Sequence, residues 1–465
     1  MKYNLLTLAL VTGLAGCSLI PDYRQPEAPF AASWEQQAQS SARVPQWEQF
    51  FRDPDLQLLI RTALEHNRDL RVAALNLEAF RAQYRIERSA LFPSIDATGG
   101  GTRQRIPDKV SPTGGAYINS QYAAAVGMTA WELDFFGRIR SLKEQALQNF
   151  FASAQAQRSA ELSLISGVAI AWFTLQADQA SLDVAEATLK TWQDSLHLIE
   201  RSHDAGIASA LELQQSRTAV DSARVAVTQG RRQVEQSRNA LQLVLGAPLP
   251  GLQERAAGLD GVQLADLPLL LPSQLLQRRP DIMQAEHELL AANANIGAAR
   301  AAFFPSISLT ATAGSMSGEQ SDLLGTGTRT WLFQPQVRLP IFNSGQLKAS
   351  LEYSEIQKDI RIARYEKAIQ NAFQEVADGL VARSTFAEQL AAQDQLLASS
   401  GQYLDLADRR YREGIDNQLT LLDAQRLHFN AQQQRIQTQF ARLVSLVNLY
   451  KALGGGFDGE EATQG

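Results

Sequence analysis

The chain contains one cysteine in 465 residues, so neither an intrachain disulfide nor a zinc cluster of cysteines can form. Its five histidines (His66, His197, His203, His287, His428) are scattered without the HExxH spacing, and no catalytic or metal-ligating set emerges. Basic residues are not in excess: Lys+Arg number 43 against Asp+Glu 49, short of what phosphate neutralisation demands, which sets nucleic acid aside as a partner. Beyond the N-terminus no run of about 18 apolar residues is found, which excludes a spanning helix in the mature protein but not a spanning β-barrel. A hydrophobic content of 45% and a charged content of 20% belong to a folded protein, and the length allows about three average domains.

The single cysteine has a telling position. Lys2 precedes an apolar stretch, Leu5 to Leu14, that ends in Leu14-Ala15-Gly16-Cys17, the pattern of a signal peptide with small residues before the cut. Ala15 and Gly16 resemble a bacterial lipobox, which implies N-palmitoyl and S-diacylglycerol groups on Cys17 as the mature N-terminus. Two or more acyl chains are what stable anchoring requires. Ser18, rather than Asp, fits the outer-membrane sorting pattern.

The chain is also written twice. Phe92-Pro93-Ser94-Ile95 recurs as Phe304-Pro305-Ser306-Ile307, and Leu64, Asp69 and Ala73 recur in the same register as Leu276, Asp281 and Ala285. Farther on, Gly206-Ile207 and Leu211 return as Gly414-Ile415 and Leu419. So long a period means duplication of a whole module rather than a solenoid unit.

Each copy reads helix, two strands, very long helix, long helix. Helical patterns over Leu64 to Leu91 and Ser273 to Phe303 stop before Pro93 and Pro305, where proline disfavours helix in the preceding residue. Period-two alternation follows, with Ile307, Leu309, Ala311 and Ala313 on one face and Ser306, Ser308, Thr310 and Thr312 on the other. Such segments, polar on one face and carrying aromatics near their ends, fit a membrane barrel. Four strands cannot close one, and open edges in lipid are prohibitive, so the chain must share a barrel with copies of itself.

From Gly137 to Asp204 and from Gly345 to Glu413 nothing interrupts the helical pattern, and each stretch is roughly 100 Å long at 1.5 Å per residue. Val168, Leu175, Leu182, Leu189 and Leu196 repeat every seven residues; Val376, Leu390, Leu397, Leu404 and Tyr411 hold the same phase. Leu213 to Leu241 and Leu422 to Tyr450 supply returning heptads, so two left-handed helical hairpins are expected, with turns at Gly206 and Gly414.

Taken together, these features resemble the outer membrane factor family, the TolC-like and OprM-like exit ducts of drug efflux and type I secretion. The resemblance is carried by Cys17-Ser18-Leu19-Ile20-Pro21-Asp22-Tyr23, Gln277-Arg278-Arg279-Pro280-Asp281-Ile282, Ala302-Phe303-Phe304-Pro305-Ser306-Ile307-Ser308-Leu309, Phe373-Gln374-Glu375-Val376-Ala377-Asp378-Gly379 and Tyr450-Lys451-Ala452-Leu453-Gly454-Gly455-Gly456. It implies an α+β membrane protein: a homotrimer with a twelve-stranded β-barrel, four strands per chain, continuous with a periplasmic α-helical coiled-coil barrel. It implies conduction without bond chemistry, and partners in a periplasmic membrane-fusion adaptor, an inner-membrane pump of the resistance-nodulation-division class and outer-membrane lipid. A type I protein-secretion duct and a structural coiled-coil envelope lipoprotein are the competing readings; an enzyme is disfavoured.

On this reading residues 1–16 form the signal peptide and 17–60 a lipidated N-terminal segment and equatorial belt. The first repeat covers 61–246, with strands at about 94–105 and 117–135 and helices at about 137–204 and 208–246. A linker occupies 247–272. The second repeat covers 273–454, with strands at about 306–317 and 328–342 and helices at about 345–413 and 417–453, and 455–465 form a tail.

Leu419 and Asp423 lie four apart on one face of a returning helix, so symmetry copies would set an apolar ring and an acidic ring near the periplasmic tip. The resemblance implies that these two form a gate, with Tyr411, Arg426 and Asp178 in the network that pins it shut. Gln215 stands near the place of Asp423 in the first copy, so only the second hairpin should carry the acidic ring. Adaptor docking is expected at the turns, on Gly206, Ile207, Ala208, Gly414, Ile415 and Asp416.

Overall fold

The structure, a computed structural model, describes residues 18–26, 44–112, 114–250, 259–268 and 279–456. The signal peptide, Cys17, residues 273–278 and the tail beyond Gly456 lie outside them. After a single helical turn, Trp47–Phe50, come α1 (Pro54–His66), α2 (Arg68–Ser89), β1 (Asp96–Ile106), β2 (Tyr117–Leu133), α3 (Arg138–Asp204) and α4 (Ala210–Leu245). The second copy supplies α5 (Pro280–Ala301), β3 (Ser306–Ser317), β4 (Arg329–Arg338), α6 (Gln346–Arg412) and α7 (Gln418–Ala452). The length estimate of three domains gives way to two compact units threaded by the duplicated module, one of 1–27, 76–154 and 284–366, the other of 28–75, 155–283 and 367–465.

The first unit contains an antiparallel sheet in the order β1-β2-β3-β4, so β1 and β4 both expose an unpaired edge. Asp96 pairs with Gly127, Ile307 with Leu133 and with Val337. Between Met128 and Trp131 the register shifts at a bulge where Ala130 takes φ +52. Gly127 is required by close strand approach, because a Cβ there would collide with the Ala311 carbonyl oxygen. The strand limits differ from expectation in small ways with local causes. β1 begins at Asp96 rather than 94, after the turn at Ala90 and Leu91 and an irregular stretch at 93–95, and β2 ends at Leu133 rather than 135. β4 ends at Arg338 rather than 342, because Pro340 lacks a ladder donor. The glycine run Gly99-Gly100-Gly101 sits within β1, with the Tyr122 ring covering Gly101.

The second unit holds the main hydrophobic core. Phe50 and Tyr450 stack with centroids 4.3 Å apart and Phe51 meets both edge-on, alongside Leu59, Ile60, Leu241 and Val447. The Tyr450 hydroxyl donates to the Gly455 carbonyl at 2.6 Å, and Gly454, Gly455 and Gly456 all take positive φ; a Cβ on Gly455 would strike Leu162. The expected helix from Leu64 to Leu91 is divided: Asn67 ends α1 and caps α2, its Oδ1 accepting from the Leu70 amide at 2.9 Å while its Nδ2 donates to the Val244 carbonyl at 2.8 Å. α1, expected only as part of a belt, starts with Asp53 as N-cap and Pro54 at N1.

One expectation about spanning helices needs correcting. α3 contains an 18-residue window with mean hydropathy 1.3, apolar and long enough to cross a membrane. That apolarity is used in the core, where Leu162, Ile165, Val168, Ala169 and Phe173 are buried against Phe50, Leu59 and Leu443.

The heptads meet as expected. Leu182 and Ala185 of α3 pack on Val227 and Val234 of α4, and nearer the turn Trp192 packs on Val220 and Ala223. Leu404 and Ala407 of α6 pack on Leu421 and Ala424 of α7.

Candidate functional site

Both hairpins reverse by the same device. Gly206 and Gly414 adopt φ +74 and +71, a conformation costly for any residue with a Cβ. In the first turn the Gly206 amide donates to His203 O at 2.8 Å and the Ile207 amide to Ser202 O at 2.8 Å; in the second, Gly414 donates to Tyr411 O at 3.0 Å and Ile415 to Arg410 O at 2.9 Å. These paired bonds satisfy the last helical carbonyls. The returning helices are capped at equivalent places, α4 by Ser209, which forms a capping box with Glu212, and α7 by Asn417, whose Oδ1 accepts from the Thr420 amide at 3.2 Å.

Of the six expected docking residues, Ile207 is 82% exposed and Ile415 56%, so each turn projects one bare apolar side chain. Ala208 is partly covered, and its carbonyl lies 2.9 Å from His203 Nδ1. Asp416 is not a free turn residue. It accepts two hydrogen bonds from Arg410, at 2.6 and 2.9 Å, and this bond holds its carboxyl below the usual carboxylate range.

The expected gate residues are brought together only in part. Leu419 is 47% exposed, and Asp423 and Arg426 pair at 2.7 Å one turn farther along the same exposed face of α7. Arg426 thus neutralises Asp423 within one helix. Tyr411 sits apart from this pair, packed on the Ala407, Leu421 and Ala424 cluster, where burial and then the Glu212 charge push its phenol up. Asp178 belongs to another level. It lies 26 residues before the end of α3 at Asp204, about 39 Å by helical rise, and accepts a short hydrogen bond from Ser237 Oγ of α4. Asp423 is only five residues past the start of α7 at Gln418, about 8 Å, so Asp178 fastens α3 to α4 and does not reach the Asp423–Arg426 pair.

Between the hairpin ends lies a cleft of about 520 Å³, bordered by Trp192, Asp194, Asp405, Tyr411, Gln425 and His428. Gln418 Nε2 donates to Ser216 Oγ there, tying α7 to α4.

A cluster that the sequence flagged only as family motifs has its own geometry. Arg279, 6% exposed, makes hydrogen bonds to Asp281 at 3.0 and 2.7 Å, to the Ala452 carbonyl at 2.9 Å, and an ion pair with Glu375 at 2.8 Å. Three motifs far apart in the chain therefore converge on one guanidinium. Among the described residues no group of three or more His, Cys, Asp or Glu is arranged to hold a metal ion.

Comparison with known proteins agrees with this architecture. The family model described as Outer membrane efflux protein matches residues 59–247 and 271–455, the two copies of the module. The chain is 57% identical over 466 residues to the Probable efflux pump outer membrane protein TtgC of Pseudomonas putida, covering 98% of this chain and 96% of that one. It is 40% identical to Outer membrane protein OprJ of Pseudomonas aeruginosa, covering 98% and 96%. Among solved structures, the open state of the Neisseria gonorrhoeae MtrE outer membrane channel matches with TM-score 0.85 at 38% identity, covering 95% of this chain and 98% of that one. A membrane protein from Pseudomonas aeruginosa matches with TM-score 0.86 at 40% identity, covering 96% and 99%. The chain belongs to the Outer membrane efflux protein family.

Proposed function

We propose that this chain is the outer-membrane channel of a tripartite efflux system, through which drugs or other small toxic compounds leave the cell without chemical change. The observation that carries the reading is the four-stranded amphipathic sheet with both edges unpaired, its strands joined to a duplicated pair of long helical hairpins. Unpaired edges cannot face lipid, so more than one copy must share a barrel; three copies and twelve strands are what membership of the family implies. Heptad-packed helices with polar outer faces continue the duct through the periplasm.

Leu419 and Asp423, repeated by symmetry, form an apolar and an acidic ring at the periplasmic end, with Arg426 holding Asp423 neutralised in the resting state. Tyr411 steadies α6 against α7, and Asp178 fastens α3 to α4. The exposed Ile207 and Ile415 receive a periplasmic adaptor, which joins the duct to an inner-membrane pump of the resistance-nodulation-division class. The pump supplies the energy. Cys17, acylated, adds a second attachment to the outer membrane beside the barrel.

Deleting the gene and measuring drug susceptibility tests the proposal. Hypersensitivity to several unrelated small compounds, restored by the intact chain, is expected; unchanged susceptibility together with loss of a secreted protein would overturn it in favour of a secretion duct.

A further inference from the structure

The cleft between the hairpin ends, about 520 Å³, has the volume of a small-molecule site and is walled by all four long helices. α3 contributes Trp192 and Asp194, α4 Ser216, α6 Tyr411, and α7 Gln418 and Gln425. A guest held there touches both hairpins at once. Two of these side chains lack a partner. Gln418 is 4% exposed and Gln425 6%, and the Oε1 of each is shielded from solvent with no donor among the described residues. The Nε2 of Gln418 is already committed to Ser216 Oγ. Buried acceptors are nearly always paired, because an unmade bond inside the protein costs the desolvation of the group. The terminal torsion of a glutamine is soft, so each amide can turn its oxygen toward a guest that brings the missing donor. Gln418 and Gln425 are seven residues apart, which puts both acceptors on one face of α7, about 10 Å apart along it.

The charge of the cleft sets the sign of that guest. Of its three carboxylates, Asp405 pairs with Arg409 at 2.6 Å and Asp408 with Arg412 at 2.9 Å, whereas Asp194 has no ion-pair partner among the described residues. His428, the other basic side chain of the lining, has its Nδ1 3.1 Å from Ser400 Oγ. One negative charge is therefore left uncompensated. Trp192 and Tyr411 add aromatic lining, which attracts cations through the ring faces and accepts a flat apolar body. An anionic guest would meet Asp194 and two amide oxygens, all of the wrong sign.

We propose that this cleft is a binding site for a flat organic cation carrying an amine at each end. The two amines donate to Gln418 and Gln425, the positive charge answers Asp194, and the ring system packs against Trp192 and Tyr411. Bound in this way the cation links α3 to α7 and so ties the first hairpin to the second. The site is complete within one chain, and it stands whether or not the protein conducts such compounds.

Equilibrium dialysis of the purified full chain in detergent micelles tests the site, with ethidium, a flat cation bearing an amine at each end, as the probe and protein-free micelles as the blank. One saturable site per chain is expected. Asp194→Asn and Gln425→Leu should each weaken binding at least tenfold, while Asp221→Asn, at an exposed carboxylate of α4 outside the cleft, should leave it unchanged. The uncharged phenanthridine with the same two amines should bind the intact chain at least tenfold more weakly, a comparison that needs no altered protein. Uptake no greater than that of the micelles alone overturns the proposal. Saturable binding that neither cleft substitution nor loss of the charge weakens overturns it equally.

Discussion

Arg410 and Asp416 are joined across the second hairpin turn by hydrogen bonds of 2.6 and 2.9 Å, whereas Ser202 and Ala208 occupy the corresponding places in the first turn. The two turns share their glycine geometry, but the first adds a capping box between Ser209 and Glu212 and the second adds this ion pair. A carboxyl held below its ordinary value stabilises the fold above the usual carboxylate range and loses that contribution as pH falls through its own lowered value. Asp416→Asn is therefore expected to speed hydrogen exchange at the Ile415 amide, which donates to Arg410 O, and to leave the Ile207 amide unchanged. Lowering the pH from 7 to below the ordinary aspartate range should loosen the second turn selectively once exchange rates are corrected for intrinsic chemistry. Equal responses in both turns would show that the pair does not stiffen its hairpin.

Asp423→Ala removes the proposed acidic ring and frees Arg426. Single-channel conductance in planar bilayers is expected to rise, because the closed state loses its paired ring. Thermal stability should change by less than about 1 kcal/mol, since both partners are more than half exposed. Unchanged conductance and opening statistics would remove these residues from the gate.

Arg279→Ala leaves Asp281, Glu375 and the Ala452 carbonyl without their common donor. A loss of about 1–3 kcal/mol is expected, because Asp281 and Glu375 are 41% and 53% exposed and can turn to water while the Ala452 carbonyl loses its buried donor, read as a drop in the melting temperature of the purified protein. Arg279→Lys should recover little of it, because one ammonium cannot reproduce the two-pronged bond to Asp281. Full recovery by lysine would reduce the cluster to simple charge balance.

Cys17→Ser is expected to abolish incorporation of labelled palmitate while the protein remains in the outer-membrane fraction, held by its barrel. Undiminished labelling would place the acylation elsewhere; loss from the membrane would make the lipid the principal anchor.

The duplication, the four strands and the two hairpins were legible because proline and glycine punctuate them. Pro93 and Pro305 end helices before the strands, and Gly206 and Gly414 mark left-handed turns whose positions hold in the structure. What escaped depends on partners distant in sequence or on caps inside helical runs. Asn67 is compatible with a continuous helical pattern, and its break is set by the Val244 carbonyl, 177 residues away. The Asp53-Pro54 start of α1 was a readable cap signal obscured by the lack of periodicity before it. In the candidate gate, the spacing of Leu419, Asp423 and Arg426 put them on one face, as found. The Arg410–Asp416 bond was not readable, because six residues through a left-handed turn bring together side chains that no helical spacing predicts. Asp178 was grouped with the gate by resemblance, yet its helical height ties it to Ser237 instead.

The central claim, that this chain is the exit duct of an efflux pump, is tested most directly by dye efflux from living cells. Cells lacking the gene and cells carrying it are loaded with ethidium in the absence of an energy source, then re-energised while fluorescence is followed. The account predicts rapid loss of fluorescence only where the chain is present. Equal loss in its absence would contradict it.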